Sequence, residues 1–192
     1  AAMYLFSFAW SKVARHDAPM RAAFALGATT PNVGNMGLPV AQLAFGKVGL
    51  DIAVMNFVVG AALSTSFGIV IASMAGGSSR AALTAPFRYP LIYAGVAGVL
   101  VSVLDITLPA TIQAPVESLA AAAVPVMLAV LGLQLQQAIG RDRITDTLGV
   151  NAGRLLIAPV VAWVVGTSIG LDGVPRATLT VLAAMPTAVI AT

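Results

Sequence analysis

The chain has no cysteine, a single histidine, and charged side chains at only 9% of its 192 positions. Without thiols there are no disulfides, no thiolate metal sites and no cysteine nucleophile. His16 has no second histidine or thiolate to complete a metal site, so no metal and no other cofactor is expected. Aromatic residues are sparse at 6%. A water-soluble domain carries charge on about a quarter of its residues, so the low charge excludes one. What fills the chain instead is hydrophobic residues, at 59%, with 18 glycines and 11 prolines. The net charge of +3 would suit a nucleic-acid partner only if the cations formed a patch. They fall in narrow clusters between long neutral runs, so nucleic acid is not expected and the lipid bilayer is.

No Lys, Arg, Asp or Glu occurs in 22–46, 52–79, 89–104, 118–140, 155–171 or 177–192. Each run is long enough, or nearly so, to cross a hydrocarbon layer as a helix, which takes about 20 residues. Transmembrane strands alternate apolar and polar residues, and these runs do not. An all-α polytopic membrane protein is therefore expected. Residues 1–10 are apolar but short, and the last run stops at Thr192 without a flanking loop, so both ends read as cuts through helices. Letting each run cross once sorts the loop cations: Lys12, Arg15, Arg21, Arg80, Arg88, Arg141 and Arg143 fall on one side, Lys47 and Arg176 on the other. The positive-inside rule makes the first side cytoplasmic. Arg154 then stands at the cytoplasmic start of the run 155–171.

Two runs contain breaks. Counting from Arg21, ten residues at about 1.5 Å each put Pro31 roughly 15 Å deep, the middle of a hydrocarbon core about 30 Å thick. Proline removes a backbone donor and clashes with the preceding turn, and Asn32, Gly34, Asn35, Gly37 and Pro39 follow at once. Counting from Arg176 gives Pro186 the same depth from the opposite face, with Thr187 after it. Two helix breaks meeting at the midplane from opposite sides are the pattern of an inverted-repeat carrier. A proline that merely kinks its helix is the competing structural explanation, and the density of Gly and Asn around Pro31 weighs against it. A helix restarting inside the membrane offers amides without intrahelical partners and the positive end of its dipole, which together bind anions. The candidate binding residues are Pro31, Asn32, Gly34, Asn35, Pro186 and Thr187. Asn56 and Gln134 join them as polar residues inside runs, each either lining a cavity or bonding a neighbouring helix. Asn151 and Arg154, three apart, share a helix face. Arg154 is expected to reach the headgroups or to attract an anion at an inner vestibule, and His16 to be solvated in its loop.

At these residues the sequence resembles the auxin efflux carrier family of membrane transport proteins. The stretches that carry the likeness are Gly34-Asn35-Met36-Gly37-Leu38-Pro39 after Pro31-Asn32, Val124-Pro125-Val126-Met127-Leu128 continuing through Leu131-Gly132-Leu133-Gln134-Leu135, and Ala183-Ala184-Met185-Pro186-Thr187-Ala188. The resemblance implies ten helices in two inverted five-helix repeats, with the fourth and ninth broken and crossing at the substrate site. Residues 1–75 would then end the first repeat (the tail of the third helix, the broken fourth and the fifth), 76–88 would be the cytoplasmic linker, and 89–192 the second repeat, truncated in its broken helix. The short linker favours a bacterial-type carrier in the inner membrane, for small organic acids such as malate or malonate, or an auxin-like acid. A homodimer is an allowed assembly. The expected function is thus secondary transport of a small organic anion by alternating access. The alternatives are an anion channel, for which the runs show no basic ring or polar stripe, and an ion-coupled transporter of another inverted-repeat family such as the bile acid sodium symporter type. No enzyme is expected, since the acids lie in loops and the histidine is single.

Overall fold

The structure is a computed structural model that describes residues 2–74, 90–137 and 144–187, with backbone alone at 62–74, 91–92 and 134–137. It is helical throughout the described residues: α1 (Ala2–Val13), α2 (Ala18–Thr29), a π-helical turn (Val33–Gly37), α3 (Leu38–Met74), α4 (Pro90–Val103), α5 (Ala110–Gln137), α6 (Ile144–Ala152), a second π-helical turn (Gly153–Ile157), α7 (Ala158–Ser168) and α8 (Gly173–Ala183). Among the described residues, three stretches are long and apolar enough to cross a membrane, Val33–Ala61, Ala110–Leu133 and Ile144–Ser168. Large apolar side chains such as Leu43, Leu119, Leu133 and Val160 stand exposed along them. Apolar faces of this kind suit lipid or the packing of further apolar helices.

The chain divides into two compact units, one made of Ala1–Val54 with Val124–Thr192, the other of Met55–Ala123. The first holds both helix breaks. Its core is small: Phe24, Ala28, Val33, Leu38, Ala41, Val150, Ala158, Leu182 and Met185 are buried, and most of them flank the breaks. Asp17 caps α2, its carboxylate accepting from the amide of Met20 at 3.0 Å, and Pro19 occupies the first turn, where no amide is needed. Within α3 the chain turns sharply at Gly46 (φ 64°, ψ −151°), a conformation open in practice only to glycine. The apolar stretch 33–61 is thereby two helices that meet at Gly46, not one rod.

An aromatic cluster ties α1 to α2. Trp10 stacks on Phe24 with planes 3° apart, and Phe6 packs against both. Across from them α6 and its π-turn present glycines: a Cβ on Gly149 would sit 2.4 Å from Trp10, and one on Gly153 2.3 Å from Phe6. Only hydrogen fits there, so these glycines set how closely the helices approach.

Three expectations are corrected. The run 155–171 is the second part of a longer helix, Ile144–Ser168, which places Arg154 inside the span and not at its mouth. Glu117, expected in a loop, lies within α5, where its carboxylate accepts from Gln113 at 2.7 Å. His16 is buried at 9% exposure, not solvated; its Nε2 lies 2.9 Å from Asp146 and its ring packs on Phe24. The expected linker 76–88 lies outside the described residues.

Candidate binding site at the crossing of two broken helices

The site starts from two prolines. α2 ends at Thr29, closed by the amide of Thr30 on the carbonyl of Leu26 at 2.9 Å, and the hydroxyls of Thr29 and Thr30 donate back to the carbonyls of Ala25 and Leu26. Pro31 cannot donate, and the chain opens. The amide of Val33 donates to the carbonyl of Pro31 at 2.8 Å, closing an inverse γ-turn about Asn32 (φ −76°, ψ 62°). The helix then restarts as the π-turn, closed by the amide of Gly37 on the carbonyl of Asn32 at 3.0 Å. The wide turn has a local reason. Pro39 lacks the amide that would serve residue 35 in an α-helix. The second π-turn repeats the arrangement, with Pro159 two residues past its end at Ile157.

On the other side α8 ends at Ala183, and the amide of Met185 makes only a long 3.3 Å bond to Leu182. Pro186 and Thr187 follow outside the helix. There the two breaks meet: Pro31 and Thr187 form an isolated antiparallel bridge, and the amide of Asn32 donates to the carbonyl of Pro186 at 2.9 Å. The two breaks are thus joined backbone to backbone, the amide after Pro31 finding its acceptor in the carbonyl of Pro186. The contact is close because small residues surround it. A Cβ on Gly27 would lie 3.6 Å from the Thr187 methyl carbon, and one on Gly37 2.9 Å from Leu182.

Of the residues expected from sequence, the structure brings Pro31, Asn32, Pro186 and Thr187 together. Gly34 and Asn35 lie in the π-turn directly behind, the opening turn of the restarted helix. Asn32 is 6% exposed and its side chain makes no capping bond to that helix. Asn56 belongs to the other unit, half-buried in α3. Gln134 is in α5, and its side chain lies outside the described residues. The continuation of the second broken helix, from Ala188, does as well.

Two neighbours were undervalued by sequence reasoning. Asn151 accepts from the amide of Thr187 at 3.4 Å through Oδ1. One turn on, Nη1 of Arg154 reaches the carbonyl of Ala183 at 3.4 Å. The i, i+3 pair therefore spans the second break, one residue at each end. The signal for this was the shared helix face; the depth was hidden because Arg154 looked like a boundary. Among the described residues no group of three or more His, Cys, Asp or Glu could hold a metal ion.

Residues 1–192 match the family described as Membrane transport protein. The chain belongs to that family. It is the auxin efflux carrier-type family that the motifs around Pro31 and Pro186 resemble, and membership makes this an integral membrane protein. A protein of Methanothermobacter thermautotrophicus (strain ATCC 29096 / DSM 1053 / JCM 10044 / NBRC 100330 / Delta H) named "Uncharacterized transporter" is similar, 26% identical over 186 residues that cover 96% of this chain and 61% of that protein. The chain thus spans about three-fifths of the length of this relative. No solved structure matches it significantly.

Proposed function

We propose that the protein to which this chain belongs is a secondary carrier for a small organic anion, a carboxylate such as malate or malonate or an auxin-like acid, in a bacterial inner membrane. The observation that carries this is the pairing of the buried Asn32 with the half-buried Pro186, by which two helix breaks meet. Irregular backbone inside a membrane survives only where protein or a water-filled cavity faces it. A restarted helix there directs its dipole and opening amides at one point, and that is an anion's environment. The side chain of Asn32, spared from capping, is left to accept or donate to a ligand.

In this reading the two half-helices move as one body. Their bridge at Pro31 and Thr187, and the contacts of Asn151 and Arg154 with the second break, hold the site while the surrounding protein alternates its access. No bond of the substrate is made or broken. The ten-helix frame of two repeats, with 1–75 and 89–192 on either side of a linker at 76–88, belongs to the same proposal.

The test is counterflow of labelled organic acids in proteoliposomes containing the full-length protein, wild type against N32A. Loss of saturable uptake in N32A, with the variant still folded, is the expected outcome. Undiminished uptake of every transported acid by N32A would remove the crossing from consideration as the site.

A further inference from the structure

Arg154 stands about ten residues into the span Ile144–Ser168, roughly 15 Å along its axis, and is only 3% exposed. Among the described residues it is the one Lys, Arg, Asp or Glu that is buried. A charge at this depth costs free energy unless something compensates it. The carbonyl of Ala183, at the negative end of the half-helix α8, offers part of that to Nη1. Nε and Nη2 are buried and have no partner among the described residues.

These two nitrogens share a geometry. In a guanidinium the N–H of Nε and one N–H of Nη2 point the same way, forming the side edge that two carboxylate oxygens match with parallel bonds. The protein's own described carboxylates are largely engaged elsewhere: Asp17 on the amide of Met20, Asp51 with Lys47, Glu117 with Gln113, Asp146 with His16 and Asp172 with Arg176. Water could serve the N–H groups but would leave the charge unbalanced.

We propose that Arg154 binds the carboxylate of the transported acid through the edge formed by Nε and Nη2, with Nη1 held on Ala183. The position fits, since Ala183 precedes the bridged Thr187 by four residues and Asn151, one turn before Arg154, holds the amide of Thr187. The inference rests on the crossing being the anion site and adds the group that supplies the charge. It also sets ligand chemistry: an acid with a planar, two-oxygen anionic group is preferred, and its amide is rejected.

The experiment measures equilibrium binding of labelled acetate, malonate and malate to the full-length protein, wild type, R154K, R154Q and N32A, with competition by malonamide and thermal unfolding alongside. Wild type is expected to bind at least one acid and to reject malonamide. R154K keeps the charge but loses the fork, and is expected to bind that acid about 5- to 10-fold more weakly; R154Q is expected to lose roughly 30-fold or more and to stop discriminating against malonamide. Without ligand, R154Q should unfold at the wild-type temperature or above it, because a buried unpaired charge has gone. R154Q binding within twofold of wild type, while N32A does not bind, overturns the role of Arg154 and leaves the crossing intact. R154Q unfolding at a lower temperature with its preference for acid over amide unchanged makes Arg154 a structural cap and also overturns it. Wild type that binds none of the acids, or binding untouched in both R154Q and N32A, sinks the anion site itself.

Discussion

The amide of Asn32 donates to the carbonyl of Pro186 at 2.9 Å, while the side chain of the same residue makes no bond to the helix it precedes. Backbone and side chain of Asn32 therefore have separable duties. N32A keeps the amide and should keep the crossing, so its effect falls on ligand binding. N32P removes the donor and should loosen the crossing itself, at a cost of about 1–3 kcal/mol for the buried carbonyl left unpaired. Thermal unfolding of the purified protein checks the contrast: N32A close to wild type, N32P clearly lower.

Proximity at the crossing can be trapped. A Cβ at Gly27 would lie 3.6 Å from Cγ2 of Thr187, a γ position of the kind a cysteine sulfur takes, so side chains at 27 and 187 come within reach of each other. Because residues 1–192 contain no native cysteine, the pair G27C/T187C should cross-link cleanly under mild oxidation in a background free of other thiols. If the two half-helices move as one body, the cross-linked protein should still transport, at a rate within a few-fold of the reduced form. Arrest that is reversed by reductant would show instead that the half-helices slide past each other during the cycle.

Much of this arrangement was legible because a break is marked locally. Pro31, with Asn32, Gly34 and Asn35 close behind it, marks a break, whereas Pro115 and Pro125 stand inside the unbroken α5, so it is the local cluster and the equal count from Arg21 and Arg176 that make the two sites readable. The π-turns were harder to see. They depend on bonds five residues apart, and their one local mark is a proline two positions past the end, at Pro39 and Pro159. The depth of Arg154 is hidden for a physical reason: in sequence a charge marks the edge of a span, but a guanidinium can sit inside one when protein, not lipid, encloses it. The burial of His16 is hidden similarly. Its loop neighbours Arg15 and Asp17 are polar, and nothing within the loop revealed that Asp146 and Phe24 would enclose it.

Gly46 offers a test of the bend in α3. At φ 64° and ψ −151°, a Cβ clashes with the backbone even though no other atom lies within 4 Å of where it would stand. The cost of G46A is thus conformational and not one of packing, about 1–3 kcal/mol. Asparagine tolerates the ordinary left-handed region but not this one, so G46N should be no better than G46A. Equal falls in unfolding temperature for the two variants are expected; rescue by asparagine would mean the bend is an ordinary left-handed turn.

The contact of His16 with Asp146 joins the loop after α1 to the first turn of α6, 130 positions away. Nε2 lies 2.9 Å from the carboxylate, Nδ1 lies 3.3 Å from the Ser11 hydroxyl, and the ring packs on Phe24 at 5.4 Å. Asp146 also belongs to the first turn of α6, where a carboxylate favours the helix dipole. Two contributions of Asp146 can therefore be separated. D146A in a wild-type background loses both the dipole contribution and the histidine, whereas in an H16A background it loses the dipole contribution alone. The four unfolding free energies of the cycle should give a coupling of about 0.5–3 kcal/mol, the range for groups in one buried network. The lower end would follow if Ser11 alone keeps the ring in place once the carboxylate is gone. Zero coupling would mean that His16 is held by Phe24 and Ser11, and that the link between α1 and α6 rests on Trp10 against Gly149 and Phe6 against Gly153.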